Sequence, residues 1–186
     1  MNREAWLNEA VHKLNGLWSS PVPECRVSVG WPGGRGKKDK TIGQCWATKA
    51  AEDEVAQIFV SPVLSDPVEV LAVLAHELCH ALDDCESGHR GHFVELAKEA
   101  GLVGPWTATT ASDELRERLS AIAAELGEYP HAALTAMSGR PVQTTRMLKA
   151  ECVNNSGYKV RLSRKWINEY GAPYCPCCNE QMEVSE

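Results

Sequence analysis

Apolar residues recur at helical spacing from residue 3 to 18, where Trp6, Leu7, Ala10, Val11, Leu14, Leu17 and Trp18 predict an amphipathic helix lying on a core. The SSPVPE stretch stops it. Three short β-prone segments follow: CRVSVGW (25–31), TIGQCWA (41–47) and AQIFVSP (56–62). They predict a small three-stranded antiparallel sheet of meander type. Asp66, Pro67 and Glu69 form a capping-box-like start with proline at the first helical position. The helix they open carries Val70, Leu71, Val73, Leu74, Leu78 and Leu82 around most of its circumference, so it is expected to be buried. Gly88 and the polar residues before it end this helix. Phe93, Leu96, Ala97 and Ala100 mark another short helix, stopped by Gly101. Residues 101–111 read as loop, and Leu115, Leu119, Ile122, Ala123 and Leu126 predict one more helix. After GEYPHAALTAMSGRPVQTT (127–145) the composition turns basic and cysteine-bearing. A domain boundary near 140–147 is expected, giving 1–145 and 146–186, and the pattern as a whole predicts an α+β fold.

Composition narrows the picture in three ways. With 186 residues the chain can build one main domain and a small appendage. No apolar run approaches the ~20 residues that span a bilayer, and the charged N-terminus lacks a signal-peptide core, so a cytoplasmic location is expected. The net charge of −6 supplies no global field toward nucleic acid. Two local basic patches stand apart from it, GGRGKKDK (33–40) and KVRLSRKW (159–166). Of the eight cysteines, Cys152, Cys175, Cys177 and Cys178 cluster near the C-terminus, where a reducing compartment favours metal binding over disulfides. Cys25, Cys45, Cys79 and Cys85 are scattered and read as small packed residues.

The chemistry is concentrated in LAVLAHELCHALDDCESGHRGHF (71–93). His76 and His80 are four apart and share one helix face, able to hold one ion at ~2.1 Å from each nitrogen. Glu77 lies ~100° round the helix from His76 and ~60° from His80. From there its carboxylate flanks the pair and can reach a water on the ion, which is why such chemistry places glutamate next to the first histidine. Catalytic zinc takes three protein ligands, so one is missing. Asp84 continues the row His76, His80, Asp84, but it sits ~11 Å from His76 along the axis, too far for one ion. The third ligand is expected after the helix, where Gly88 lets the chain turn and His89 arrives first, with His92 as competitor. Asp83, Asp84 and Glu86 are read as a solvated helix end, although one of them could orient a ligand histidine.

The pattern H-E-L-x-H followed by G-H-x-x-x-F resembles the SprT/Spartan family of zinc metalloproteases. The resemblance covers TIGQCW, the stretch from IFVSP through the two histidine motifs to KEAGL, and EYPHAAL. It resumes in SGYKVRLSRKW and PYCPCC, and the combination is similar to SprT-like proteins of actinobacterial phages and their hosts. It implies a zincin-like minimal metalloprotease domain followed by a zinc-ribbon-like tail, in a bacterial or phage-infected cytoplasm. It also implies that the third zinc ligand is the histidine four residues before the phenylalanine, which here is His89. Protein or peptide substrates are implied, and in eukaryotic relatives proteins crosslinked to DNA. Glu77 would be the general base and acid of peptide hydrolysis.

The tail departs from the family pattern, in which C-x-x-C-G-Y, R-K-W and C-P-x-C build a four-cysteine ribbon. Here Ser156 stands where a partner of Cys152 is expected, and Cys175 and Cys178 keep the C-x-x-C spacing. Cys152, Cys175 and Cys178 could hold a second, structural zinc, with Cys177 a candidate fourth thiolate; without it the tail is too small for a core of its own and is expected to pack on the main domain. Lys159, Arg161, Arg164, Lys165 and Trp166 mix basic and aromatic character, as a nucleic-acid contact would, and equally as a solvated basic face around a packed tryptophan would. Tyr129 and His131 could enter the cleft to support an oxyanion, but a turn packed around Pro130 is the favoured reading. The alternative for the whole chain is a catalytically silent DNA- or protein-binding module that keeps zinc for stability. Glu77 argues against silence, because a structural metal site has no need of it.

Overall fold

The computed structural model describes residues 1–32, 41–135 and 147–185. The basic stretch 33–40 lies outside the described residues, as does the expected boundary 140–147 except for Met147. The chain divides into two compact units, Met1–Ala136 and Met137–Glu186.

The first unit is mixed α+β. Helix α1 (Arg3–Leu14) starts where the Asn2 side chain accepts a hydrogen bond from the Ala5 N–H, and it buries Trp6, Leu7, Ala10 and Leu14. The two tryptophans of the predicted amphipathic face satisfy their indole N–H groups on backbone carbonyls, Trp6 on Gly127 and Trp18 on Leu96. Strands β1 (Cys25–Val29), β2 (Gly43–Trp46) and β3 (Ala56–Val60) form one sheet in the order β1-β3-β2. The expected meander is wrong in one respect: β1 runs parallel to β3, and only β2 is antiparallel to it. Two causes lie in the sequence. The 30–42 connection is long enough to carry the chain past the middle slot of the sheet. The strand that takes the slot has the most apolar face, with Ala56, Ile58 and Val60 fully buried. Strand β2 is left on an edge.

Helix α2 (Pro67–Leu82) starts as predicted, with Asp66 accepting from the Glu69 N–H at 2.9 Å and Pro67 at its first position. Leu71, Leu74 and Leu78 are completely buried. Each contributes on the order of 1.5–3 kcal/mol by leaving water. The helix ends at Leu82, a turn and a half before Gly88. Helix α3 (Gly91–Ala100) stops at Gly101, whose φ of 87° and close approach to Leu115 Cβ (3.1 Å from an added Cβ) both exclude a side chain. The stretch read as loop contains a minimal hairpin, β4 (Leu102–Val103) with β5 (Thr110–Ala111). Helix α4 (Asp113–Leu126), capped by Ser112, completes the unit.

The second unit is a three-stranded antiparallel sheet in the order β7-β6-β8, built from β6 (Met147–Glu151), β7 (Lys159–Ser163) and β8 (Glu183–Ser185), with helix α5 (Arg164–Tyr170) after β7. Its core is small: among the described residues Ala150, Cys152, Cys175 and Met182 cluster together, and Leu148 is also buried. No described helix is long and apolar enough to cross a membrane.

Candidate metal centre

Helix α2 presents His76 and His80 on one face, and the turn after it returns His89 to them. The ligand atoms of the three imidazoles all lie within 4.8 Å of one another. His80 Nε2 and His89 Nε2 are 3.2 Å apart, close to the ~3.4 Å that two nitrogens adopt on one tetrahedral zinc. His92 is outside the group, exposed and 3.4 Å from Glu95. Of the two histidines offered by the sequence, the fold therefore brings His89 into the cluster.

The turn works through residues that were expected to be solvated. Asp83 is buried, with its carboxylate accepting from the Ser87 N–H at 2.6 Å and from the Ser87 hydroxyl at 2.8 Å. Asp84 accepts from the Thr48 N–H and hydroxyl at 2.8 and 2.9 Å, tying the end of α2 to the segment after β2. Only Glu86 of the three is exposed. The physical reason is the reversal itself. Asp84 and Cys85 have φ of 45° and 59°, as Gly88 has 59°, and a left-handed turn of non-glycine residues persists only when its backbone is held from outside. Cys85 N–H also caps His80 C=O at 2.8 Å.

Phe93, fully buried on α3, touches all three imidazoles. It stacks on His80 with ring centroids 4.3 Å apart and meets His76 and His89 edge-on at 5.1 Å each. This floor keeps water from the rings. Burial, reinforced by His80 and His89, lowers the His76 pKa to about 3, and burial with His89 lowers His80 to about 4. Burial lowers His89 as well. The three rings are therefore neutral at pH 7, the form that ligates metal. The remaining nitrogen of His76, Nδ1, is 2.8 Å from the Thr109 hydroxyl.

Glu77 is buried, 5% exposed, on the wall of a cleft of about 640 Å³ that also holds the three histidines. Burial pushes its carboxyl up to about 8; the Cys85 thiol adds to the rise and a hydrogen bond from the Cys45 backbone opposes it. Thr41, Ile42 and the β2 residues Gly43, Gln44 and Cys45 also line the cleft. Cys45 and Cys85 are half-buried and line this cleft, and Cys45 also packs against the core; a hydrogen bond between them holds Cys85 below and Cys45 above the usual thiol range. Cys79 is buried, as expected, and its thiol points at the Ala75 carbonyl. Tyr129 and His131 do not line the cleft. Tyr129 packs on Trp6 at 4.9 Å and His131 Nε2 is 2.9 Å from the Pro62 carbonyl, which is the packed turn.

In the second unit Cys152, Cys175 and Cys178 form a separate group with sulfurs within 4.8 Å of one another. Cys152 Sγ and Cys178 Sγ are 3.5 Å apart, and Ser156 Oγ is 3.6 Å from Cys175 Sγ. A tetrahedral zinc would set two thiolates ~3.8 Å apart and a thiolate ~3.6 Å from an oxygen ligand. Cys177 is exposed, with its backbone N–H directed at Cys175 Sγ, and lies outside the three-cysteine group. Burial raises the Cys175 thiol, but Ser156 and the N–H groups of Cys177 and Cys178 outweigh it and bring the pKa to about 6. Nearby, Trp166 is half-exposed, stacked on Tyr170 and beneath Lys165 Nζ, so it is not a packed tryptophan. Lys159 pairs with Glu151.

These features define a mixed α+β protein carrying a three-histidine group and a three-cysteine group, each able to hold a metal ion. No family model matches the chain, and no match was found among curated proteins or among solved structures.

Proposed function

We propose that this protein is a zinc-dependent endopeptidase of the SprT-like type, with a zincin-like first unit and a zinc-ribbon-like second unit. The observation that carries the proposal is Glu77, a buried carboxyl held at the wall of a cleft beside three neutral, converging imidazoles. His76, His80 and His89 would hold the ion, and their spacing and neutrality fit it. When bound, zinc acidifies a water and polarises a peptide carbonyl. Glu77 would take a proton from that water and return it to the leaving amine. Strand β2, on an edge and lining the cleft beside Glu77, suits an extended peptide added as a further strand.

Cys152, Cys175, Cys178 and Ser156 would hold a second, structural zinc, which so small a core needs for stability. The exposed Trp166, Tyr170 and Lys165 group supports DNA as a partner and DNA-associated or DNA-crosslinked proteins as substrates. The cellular setting in this reading is a bacterial or phage-infected cytoplasm, where thiols stay reduced.

The test is cleavage by the zinc-loaded full chain, of itself and of an unstructured protein, with and without single-stranded DNA, against Glu77→Gln. The expected result is cleavage lost in Glu77→Gln while zinc content stays at the wild-type level. Equal, intact bands in both proteins would leave the zinc-stabilised binding module instead.

A further inference from the structure

We infer that Thr109 is a positioning residue of the histidine centre: its hydroxyl fixes His76 in the tautomer that presents Nε2 to a metal ion. The inference rests on the metal-centre reading above and assigns to it a residue from outside the histidine motif.

A neutral imidazole carries one proton, and its two nitrogens point in nearly opposite directions. Thr109 Oγ1 lies 2.8 Å from His76 Nδ1, a full hydrogen bond, so that nitrogen is engaged and Nε2 is left for the ion. Nε2 can bind only through its lone pair. The proton must then sit on Nδ1, and Nδ1–H donates to Oγ1. A threonine hydroxyl has lone pairs to accept this bond and keeps its own proton for another acceptor. The arrangement agrees with His80 and His89, whose Nε2 atoms face one another at 3.2 Å.

Thr109 directly precedes β5, which is paired to β4. It is therefore held by the hairpin and not by α2, so the ring of His76 is oriented by an element independent of its own helix. The more usual partner of a ligand histidine is a carboxylate or a backbone carbonyl. A carboxylate here would add an acidic group to the cleft that already holds Glu77, with its charge. A hydroxyl fixes the ring without that charge.

The experiment compares full-length wild type with Thr109→Val, Thr109→Ser and His80→Ala. Cobalt(II) is titrated against a chromophoric chelator, and the d–d bands absent from His80→Ala report the histidine centre. Thr109→Val should weaken cobalt and zinc binding there about 10–100-fold. Thr109→Ser should stay close to wild type, and the metal-free melting temperatures of both should change little. The histidine ¹⁵N spectrum of the zinc-loaded wild type should show His76 protonated at Nδ1. Wild-type affinity in Thr109→Val, a Thr109→Ser as weak as Thr109→Val, or His76 protonated at Nε2 would each overturn the role of Thr109 while leaving the metal centre standing. Cobalt bands that persist unchanged in His80→Ala would overturn the centre itself, and Thr109's role with it.

Discussion

Gly43 lies directly against Glu77: a Cβ added to Gly43 would stand 2.3 Å from Glu77 Oε1 and 2.7 Å from Val73 Cγ1. The backbone of the edge strand thus rests on the proposed general base, and the Cys45 backbone hydrogen-bonds to the same carboxyl. The carboxyl and the strand share one place, so the strand sets how the carboxyl faces the histidines.

Gly43→Ala tests this contact. The methyl must displace the Glu77 carboxyl, the strand or Val73. Overpacking of this kind costs about 1–3 kcal/mol of stability. The histidines are not touched, so zinc affinity at their centre should remain within a few-fold of wild type. Peptidase kcat should fall by about tenfold or more, since each ~1.4 kcal/mol of lost transition-state stabilisation is one factor of ten. Parallel metal titration and steady-state kinetics separate the two; loss of zinc together with activity would place the damage in the histidines instead.

Phe93→Ala should act on the metal centre from below. The ring is completely buried and contacts each imidazole, so truncation opens a cavity under three ligands at once. A loss of about 3–5 kcal/mol is expected in chemical denaturation of the metal-free protein. Zinc affinity should also fall, because the rings lose the surface that aligns them. Phe93→Leu keeps most of the volume and should recover most of both.

Much of this centre was legible because its signals are local. The helical spacing of His76, Glu77 and His80 and the Asp66–Pro67 start are written within one stretch of chain, and so is the return of His89 after Gly88. The parts that escaped are long-range. Gly43 and Thr109 reach the site from β2 and from the β4–β5 hairpin, and no periodicity in the sequence announces either contact. Asp84 looked solvated because its partner, Thr48, is distant in sequence and adjacent only in the fold. The parallel pairing of β1 with β3 was hidden for the same reason, since local pattern specifies a strand but not its neighbour. Phe93 served only as a landmark for counting back to His89, whereas it forms the floor of the site.

Ser156→Cys should strengthen the metal site of the second unit. Ser156 Oγ lies 3.6 Å from Cys175 Sγ, within reach of an ion on the three sulfurs, and a thiolate is a better zinc ligand than a hydroxyl, so tighter binding by about tenfold or more is expected. Ser156→Ala should leave a three-thiolate site open to water and more readily stripped by chelator. Competition titration followed through the cobalt–thiolate charge-transfer band reads this site without interference from the histidines. Equal affinity in wild type, Ser156→Cys and Ser156→Ala would remove Ser156 from the ligand set.

The histidines and Glu77 together should stabilise the metal-free protein most near pH 6.5. His76 and His80 titrate at about 3 and about 4 in the folded chain, below the ordinary value of 6.5, so between these limits the unfolded state binds more protons. Their contribution is complete above pH 6.5 and is lost as pH falls through the folded values; His89, shifted the same way, adds to the loss. Glu77 acts in the opposite sense. Its folded pKa of about 8 exceeds the ordinary 4.5, so its contribution is complete below pH 4.5 and is lost as pH rises to 8. Between 4.5 and 6.5 two histidines outvote one glutamate and stability rises with pH; between 6.5 and 8 Glu77 lowers stability, against a rise from Cys175, whose thiol is held at about 6 when its ordinary value is 9. Each unmatched proton is worth about 1.4 kcal/mol per pH unit. Urea denaturation of the chelator-treated chain across pH 4.5–8 measures the profile. Glu77→Gln should make stability rise more steeply with pH, most visibly between 6.5 and 8, and a slope unchanged there in that variant would show that the buried carboxyl does not titrate as its surroundings imply.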